Sequence, residues 1–287
     1  MLNHLNISKD NFPSGIAIWG AFPPALTTRG TNLDTGVHVH ARRIHSTYKD
    51  IDETFDSVYL TISTNKDIIE ISAKAITAYD ISALVGEIPI GIKCPRCNMY
   101  HTDTGEFSVR PHRKHLCSFC KKFFFSDQRC VGNELAHITP SNLRNHRTVN
   151  TLRSLNINEH YFSGGFDIWG WHKALLWSME KAEEIGIHIH GYDDSGNRVM
   201  DDTFSTIIYN DTVIDVEDAQ YLMMQKSQKE ILTKIDSLKC PNCGLLHSDR
   251  GYFGFVPHCR HECVYCSKKF YTKRKVISNS LNSIINQ

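Results

Sequence analysis

A cysteine and histidine framework that occurs twice constrains this chain more than any other feature. Gly36–His40 reads Gly-Val-His-Val-His, and Gly186–His190 reads Gly-Ile-His-Ile-His. Lys93–Cys97 reads Lys-Cys-Pro-Arg-Cys, and Lys239–Cys243 reads Lys-Cys-Pro-Asn-Cys. A second Cys-x2-Cys pair follows at the same distance in each half, at Cys117 and Cys120 and at Cys263 and Cys266. Between the pairs each half holds a His (His101, His247), an Asp (Asp103, Asp249) and a Pro-His-x2-His run, Pro111–His115 and Pro257–His261. Ten of the 16 His and eight of the 10 Cys fall at matched positions, so the repeated residues are those that bind metals. We therefore expect an internal duplication of one small α+β unit, an antiparallel sheet with a helix, each copy followed by a zinc module.

The length of 287 residues accommodates two domains that each bury a core. The repeat sets the expected boundaries. The first repeat spans 1–125, with an α+β unit at 11–92 and a zinc module at 93–125. A polar linker follows at 126–158, which contains Thr139-Pro140-Ser141-Asn142, shows little apolar periodicity and leaves room for a short helix. The second repeat spans 159–287, with an α+β unit at 159–238, a zinc module at 239–275 and a C-terminal tail. No apolar run approaches the roughly 20 residues of a membrane helix, and no charged and then apolar leader opens the chain. These features predict a cytoplasmic protein without a membrane partner, with thiols reduced or bound to metal.

The formal net charge of +1 conceals segregation. Residues 93–125 carry seven Lys/Arg against two Asp/Glu, and residues 239–275 carry eight against two, which leaves −10 for the remainder. Basic modules on an acidic body predict a surface that meets polyanions, with DNA and RNA both open.

Local patterns predict the elements. In the second half, Phe166–Trp169 reads as a short strand or turn and Trp171–Glu184 as a helix that Gly186 stops. Alternation makes Ile187–Gly191 a strand, turning at Asp193–Asn197 into Asp201–Tyr209, with a third strand at Thr212–Val216. A helix from about Asp218 carries Tyr221, Met224, Ile231, Ile235 and Leu238 at helical spacing as far as Cys240. The first half predicts strands near Val37–Arg42, Thr54–Thr61 and Ile68–Ser72 and a helix from Ala73 that Pro89 ends. Phe22-Pro23-Pro24 predicts a loop. The repeated Trp19-Gly20 and Trp169-Gly170 read as core packing beside a tight turn.

Two Cys-x2-Cys knuckles close a tetrahedron of thiolates around a d10 ion. The predicted ligands are Cys94, Cys97, Cys117 and Cys120 in one module and Cys240, Cys243, Cys263 and Cys266 in the other, giving two structural Zn2+ sites. About 30 residues per copy resemble the zinc-ribbon and treble-clef modules as a broad class. A four-Cys site is closed, which implies a folding role. Cys130 and Cys259 lack counterparts and read as ordinary thiols. For His101, His112, His115, His247, His258 and His261 three roles stand open: support of the knuckles by hydrogen bonds, contact with phosphate, or ligation. Arg113, Lys114, Lys121 and Lys122, with Arg260, Lys268 and Lys269, are the candidate nucleic-acid contacts. Interleaved aromatics, Phe107, Phe123, Phe124, Phe125, Tyr252, Phe253, Phe255, Tyr265 and Phe270, either stack on bases or form the module's only core.

Strand alternation puts His38 and His40 on one face, and likewise His188 and His190. A hairpin brings Asp201, Asp202 and Thr203 opposite the second pair, and Asp52, Glu53 and Thr54 opposite the first. Such a face predicts an additional divalent metal with hydrolytic, nuclease-type chemistry at His38, His40, His188, His190, Asp52, Asp201 and Asp202, an acid–base pair formed by the same residues, or a polar sheet surface with cross-strand pairs. Three functions follow: nucleic-acid binding through the zinc modules, a metal-dependent hydrolase, and a zinc-stabilised platform for a protein partner.

Overall fold

The computed structural model describes residues 4–7, 16–20, 22–30, 36–43, 53–64, 70–137, 148–149, 153–171, 176–177, 183–184 and 186–285. Among them the architecture is mixed, with few helices and many strands in small sheets. The chain divides into two compact units that are discontinuous in sequence. The first comprises Met1–Ala21, Asp34–Arg147 and Lys173–Ala182; the second comprises Phe22–Leu33, Thr148–His172 and Glu183–Gln287.

In the second unit a four-stranded antiparallel sheet runs Arg198–Phe204, Gly186–Tyr192, Phe166–Trp171 and Leu26–Thr27 in spatial order. The two-residue period decides its faces. Ile187, Ile189 and Ile168 are fully buried, whereas His188 and His190 on the opposite face are half-buried. Helix α2, Val216–Ser227, lies close to the Phe166–Trp171 strand, and a Cβ added at Gly170 would come within 2.4 Å of the Gln220 backbone nitrogen. Only glycine permits that approach. Asp215 caps α2 by accepting from Asp218 N at 2.7 Å, and Glu217 and Asp218 favour its positive end.

The helix ends at Ser227 rather than running on to Leu238. Gln228 is extended, and Ile231 lies buried in the turn that follows. Ile235–Asp236 pairs in parallel with the long strand Lys269–Ser278, a sheet contact that overrides the helical spacing. A second departure lies at 171–184. Among its described residues Trp171 ends the Phe166–Trp171 strand and Leu176–Trp177 and Glu183–Glu184 are strands, and the rest of the expected helix lies outside the described residues. Sheet pairing again prevails over helix-favouring composition. Phe166–Trp169 belongs to a full strand through Trp171, so Trp169-Gly170 marks strand packing and not a turn.

In the first unit the main sheet runs Leu176–Trp177, Ile16–Gly20, Val37–Arg43 and Glu53–Tyr59. A smaller sheet runs His4–Ile7, Thr61–Thr64 and Glu70–Ser72. Ser72 caps helix α1, Ala73–Leu84, accepting from Ala75 N at 3.2 Å. Ala75, Ile76, Ala78 and Ile81 bury its inner face. The helix stops before Pro89, where Gly86 takes a φ of +81° and its amide bonds Ala83 O.

The two edge strands are exchanged in sequence. Leu26–Thr27 lies early in the chain yet completes the sheet of the second unit, and Leu176–Trp177 completes the sheet of the first. Residues 126–158, expected as a linker, are structured at both ends. The strand Phe123–Cys130 crosses the expected boundary, and Ser154–Asn156 pairs in parallel with Thr206–Tyr209. The tail after 275 also belongs to the fold, with Val276, Ile277, Ser278 and Asn279 buried.

Candidate metal centres

Each Cys pair sits on a knuckle closed by two backbone hydrogen bonds. Asn98 N bonds Cys94 O at 2.8 Å and Cys94 N bonds Met99 O at 2.9 Å; Gly244 N with Cys240 O and Cys240 N with Leu245 O repeat this in the second unit. The second knuckles close alike through Lys121 and Lys122 and through Ser267 and Lys268. The residue after each second Cys has a positive φ: 60° at Asn98, 57° at Lys121, 75° at Gly244 and 55° at Ser267. This reversal turns two sulfurs toward one point.

The sulfurs then converge. Cys94 to Cys120 is 3.8 Å, Cys97 to Cys117 is 3.6 Å, and Cys240 to Cys266 and Cys243 to Cys263 are each 3.7 Å. A tetrahedron with Zn–S bonds of about 2.3 Å has edges of about 3.8 Å, so both clusters suit zinc. Four thiols this close resist ionising together. The Leu245 amide lowers the Cys243 pKa, but burial and the thiols of Cys240, Cys263 and Cys266 push it up to about 11. A divalent cation at the centre reverses that balance.

The histidines beside the knuckles converge on a buried carboxylate and not on the sulfurs. His101 Nε2 lies 2.6 Å from Asp103 Oδ1, His115 Nδ1 lies 3.2 Å from Oδ2, and His112 Nε2 lies 3.3 Å from Oδ1. Gly132 N donates to Oδ2 at 2.7 Å. In the second unit Asp249 takes the same partners, His247 at 2.7 Å, His261 at 3.1 Å, His258 at 3.4 Å and the Ser278 amide at 2.7 Å. Burial raises the pKa of both carboxylates, but hydrogen bonds from His101 and His115, and from His247, His258 and His261, outweigh it and hold each well below the ordinary range.

The residue after each of those amides ties the module to its helix. Asn133 Nδ2 donates to Ala75 O on α1 at 3.0 Å, and Asn279 Nδ2 donates to Asp218 O on α2 at 3.1 Å. Both asparagines lie in segments expected to be linker and tail. The 146-residue offset that relates the Cys pairs also relates Asn133 to Asn279, and following it past the last Cys would have found them.

The basic residues occupy the modules' outer surface. Arg113 donates to Ser126 O and to Asp127 O, Lys114 Nζ lies 4.2 Å from the Phe123 ring centre, and Lys121 bonds Ser118 O. Lys122, Arg260 and Lys268 are exposed, and Lys269 pairs with Glu262 at 3.8 Å. The aromatics divide into two sets. Phe124 and Phe270 pack on the Cys clusters and Phe255 is fully buried. Phe107, Phe119, Phe123 and Phe125 are about half exposed or more, as are Phe253, Tyr265 and Tyr271. In the first unit, Phe107, Phe119, Phe123, Phe125, Lys114 and Arg129 help line an open cleft of about 1090 Å³.

On the sheet of the second unit, His188 stands across from Thr203 and His190 across from Asp201. Their Nε2 atoms are 2.8 Å apart, and Asp201 Oδ1 lies 3.1 Å from His188 and 3.5 Å from His190. Asp202 stands across from Ile189 and accepts from Arg153 at 2.6 Å, so it is not part of this cluster. In the first unit His38 and His40 repeat the approach, with Nε2 atoms 3.0 Å apart. Register places Asp56 across from His40; Asp52 lies outside the described residues, and Glu53 and Thr54 pair with Arg43 and Arg42 further along. Trp19 packs edge-on to His40 and Trp169 to His190, both with ring centres 4.8 Å apart.

No protein-family model matches this chain, and neither the curated proteins nor the solved structures include a match. No helix among the described residues is long and apolar enough to cross a membrane.

Proposed function

We propose that this is an internally duplicated protein whose two zinc-stabilised modules bind single-stranded nucleic acid. The observation that carries the reading is the exposure of aromatic rings at matched positions, Phe107 and Phe253, Phe119 and Tyr265, Phe125 and Tyr271, on surfaces rich in Lys and Arg. A module this small ordinarily spends its aromatics on its core. Here Phe124 and Phe270 serve that purpose, and the remaining rings are available to stack on bases, each contact worth roughly 1–3 kcal/mol. Lys114, Lys121, Lys122, Arg260 and Lys268 supply phosphate neutralisation, and the zinc ions act as structural staples.

The test is fluorescence anisotropy with unstructured DNA and RNA oligonucleotides over a salt series. The logarithm of the affinity falls linearly with log salt, and Phe119→Ala with Tyr265→Ala weakens binding without changing the salt slope. Replacing Lys114, Lys121 and Lys122 flattens the slope. Absence of binding to any oligonucleotide at low salt would leave the modules as platforms for a protein partner.

A further inference from the structure

We propose that His188, His190 and Asp201 form a second kind of metal site, an open and exchangeable one for a borderline divalent ion, Zn2+ foremost. It is independent of the zinc modules and of nucleic-acid binding. Two imidazole nitrogens bound to one ion at about 2.0–2.1 Å and at 90–110° from each other are about 2.8–3.4 Å apart. The observed separations of 2.8, 3.1 and 3.5 Å match the arrangement of three ligands on one side of such an ion.

The surroundings prepare both rings for ligation. His188 Nδ1 lies 3.1 Å from Thr203 Oγ1 and His190 Nδ1 lies 3.4 Å from Tyr192 OH. These hydroxyl oxygens can each accept from Nδ1–H, which is the tautomer in which Nε2 of both rings binds metal. In that tautomer the two lone pairs, 2.8 Å apart, repel unless a shared cation lies between them. Trp169 packed against His190 holds that ring in place. Arg198 holds the other carboxylate oxygen of Asp201 at 2.5 Å, which orients Oδ1 toward the imidazoles.

Ligand type and ligand number separate this site from the Cys clusters. Two nitrogens and one oxygen suit zinc and its neighbours better than magnesium or calcium. Both imidazoles are 15% exposed and Asp201 is 44% exposed, so solvent reaches the ion and can complete its coordination. Three protein ligands with open positions are the pattern of zinc that binds or activates a further ligand, whereas four thiolates leave no position open. The first unit repeats the two imidazoles at His38 and His40, with Asp56 at the matching register position.

The experiment is calorimetric titration of ZnCl2 into the full chain carrying His38→Ala and His40→Ala, which isolates the second unit. Thiol-blocking reagents release the Cys-bound zinc separately, so failure of the modules and failure of this site are distinguishable. One additional zinc should bind beyond the two thiol-bound ions and leave on brief exposure to a weak chelator. Adding His188→Ala and His190→Ala should abolish it. Thr203→Val, which keeps all three ligands and removes only the support of His188, should weaken it roughly 10- to 100-fold. Should the background variant fail to fold, His188→Ala in the otherwise unchanged chain must remove one equivalent of exchangeable zinc. Uptake that stops at two ions, or that is indifferent to His188 and His190, would overturn the site.

Discussion

His247 donates to Asp249 across 2.7 Å at a place where both side chains are almost wholly enclosed. That bond begins a chain of contacts from the first Cys knuckle, through Asp249, to the Ser278 amide and so, through Asn279, to helix α2. The four-Cys module of the second unit is thus joined to the rest of that unit by a buried carboxylate, so a metal that fixed the knuckles would constrain the body of the unit as well.

Replacing this carboxylate should therefore cost much more than replacing a surface acid. Asp249→Asn retains the shape but removes the negative charge that three imidazoles and an amide share. Breaking a buried charged network of this kind costs about 3–5 kcal/mol. Denaturant unfolding should show a loss of that order, while Glu262→Gln, exposed on the same module, should change stability by less than about 0.5 kcal/mol.

Metal removal should act module by module. Structural zinc contributes roughly 10–16 kcal/mol of apparent binding free energy, far more than so small a core can replace. Cys94→Ser should leave one thiol-bound zinc per chain by elemental analysis and expose residues near 94–130 to protease. Cys240→Ser should do the same in the second module. Two retained zincs with an unchanged melting profile would be incompatible with these clusters.

A buried acid on α1 gives the first unit a pH signature. Burial raises the Asp80 pKa well above its usual value. A raised carboxylate is most compatible with folding below its unfolded pKa near 3.8, where it is protonated in both states. As pH rises from there toward the folded pKa, the unfolded chain ionises first and this residue's contribution is lost. Asp80→Asn removes the dependence. The stability of the variant minus that of the wild type should increase with pH above about 4, and a flat difference between pH 4 and 8 would contradict the assignment.

The exchanged edge strands predict that neither sequence half folds well alone. A fragment of residues 148–287 lacks Leu26–Thr27, which leaves the Phe166–Trp171 strand unpaired on that side. Buried Asp167 then loses Thr27 and Arg29, and Lys226 loses the carbonyls of Pro24 and Ala25. An open edge is also a template for aggregation. The fragment should elute as oligomers, and adding residues 1–147 should restore a defined complex; a well-folded monomeric fragment would argue against the exchange.

What the sequence determined by itself was local chemistry and local period. Cys-x2-Cys spacing is enough to fold a knuckle, because its hydrogen bonds run between residues only four or five apart. Alternation in Gly-Ile-His-Ile-His is enough to separate His188 and His190 from Ile187 and Ile189, because a strand repeats every two residues. Other features depended on partners distant in the chain, and tertiary structure alone decided them. Register chose Asp201 over Asp202 and set Asp56 across from His40, since a slip of one residue turns a side chain to the other face. Pairing with Lys269–Ser278 drew Ile235–Asp236 out of a helical pattern, and pairing with Ile16–Gly20 made Leu176–Trp177 a strand. Asp103 and Asp249 gathered the histidines that spacing had left free to turn toward metal or phosphate, because a buried carboxylate must be satisfied from whatever donors the fold brings within reach.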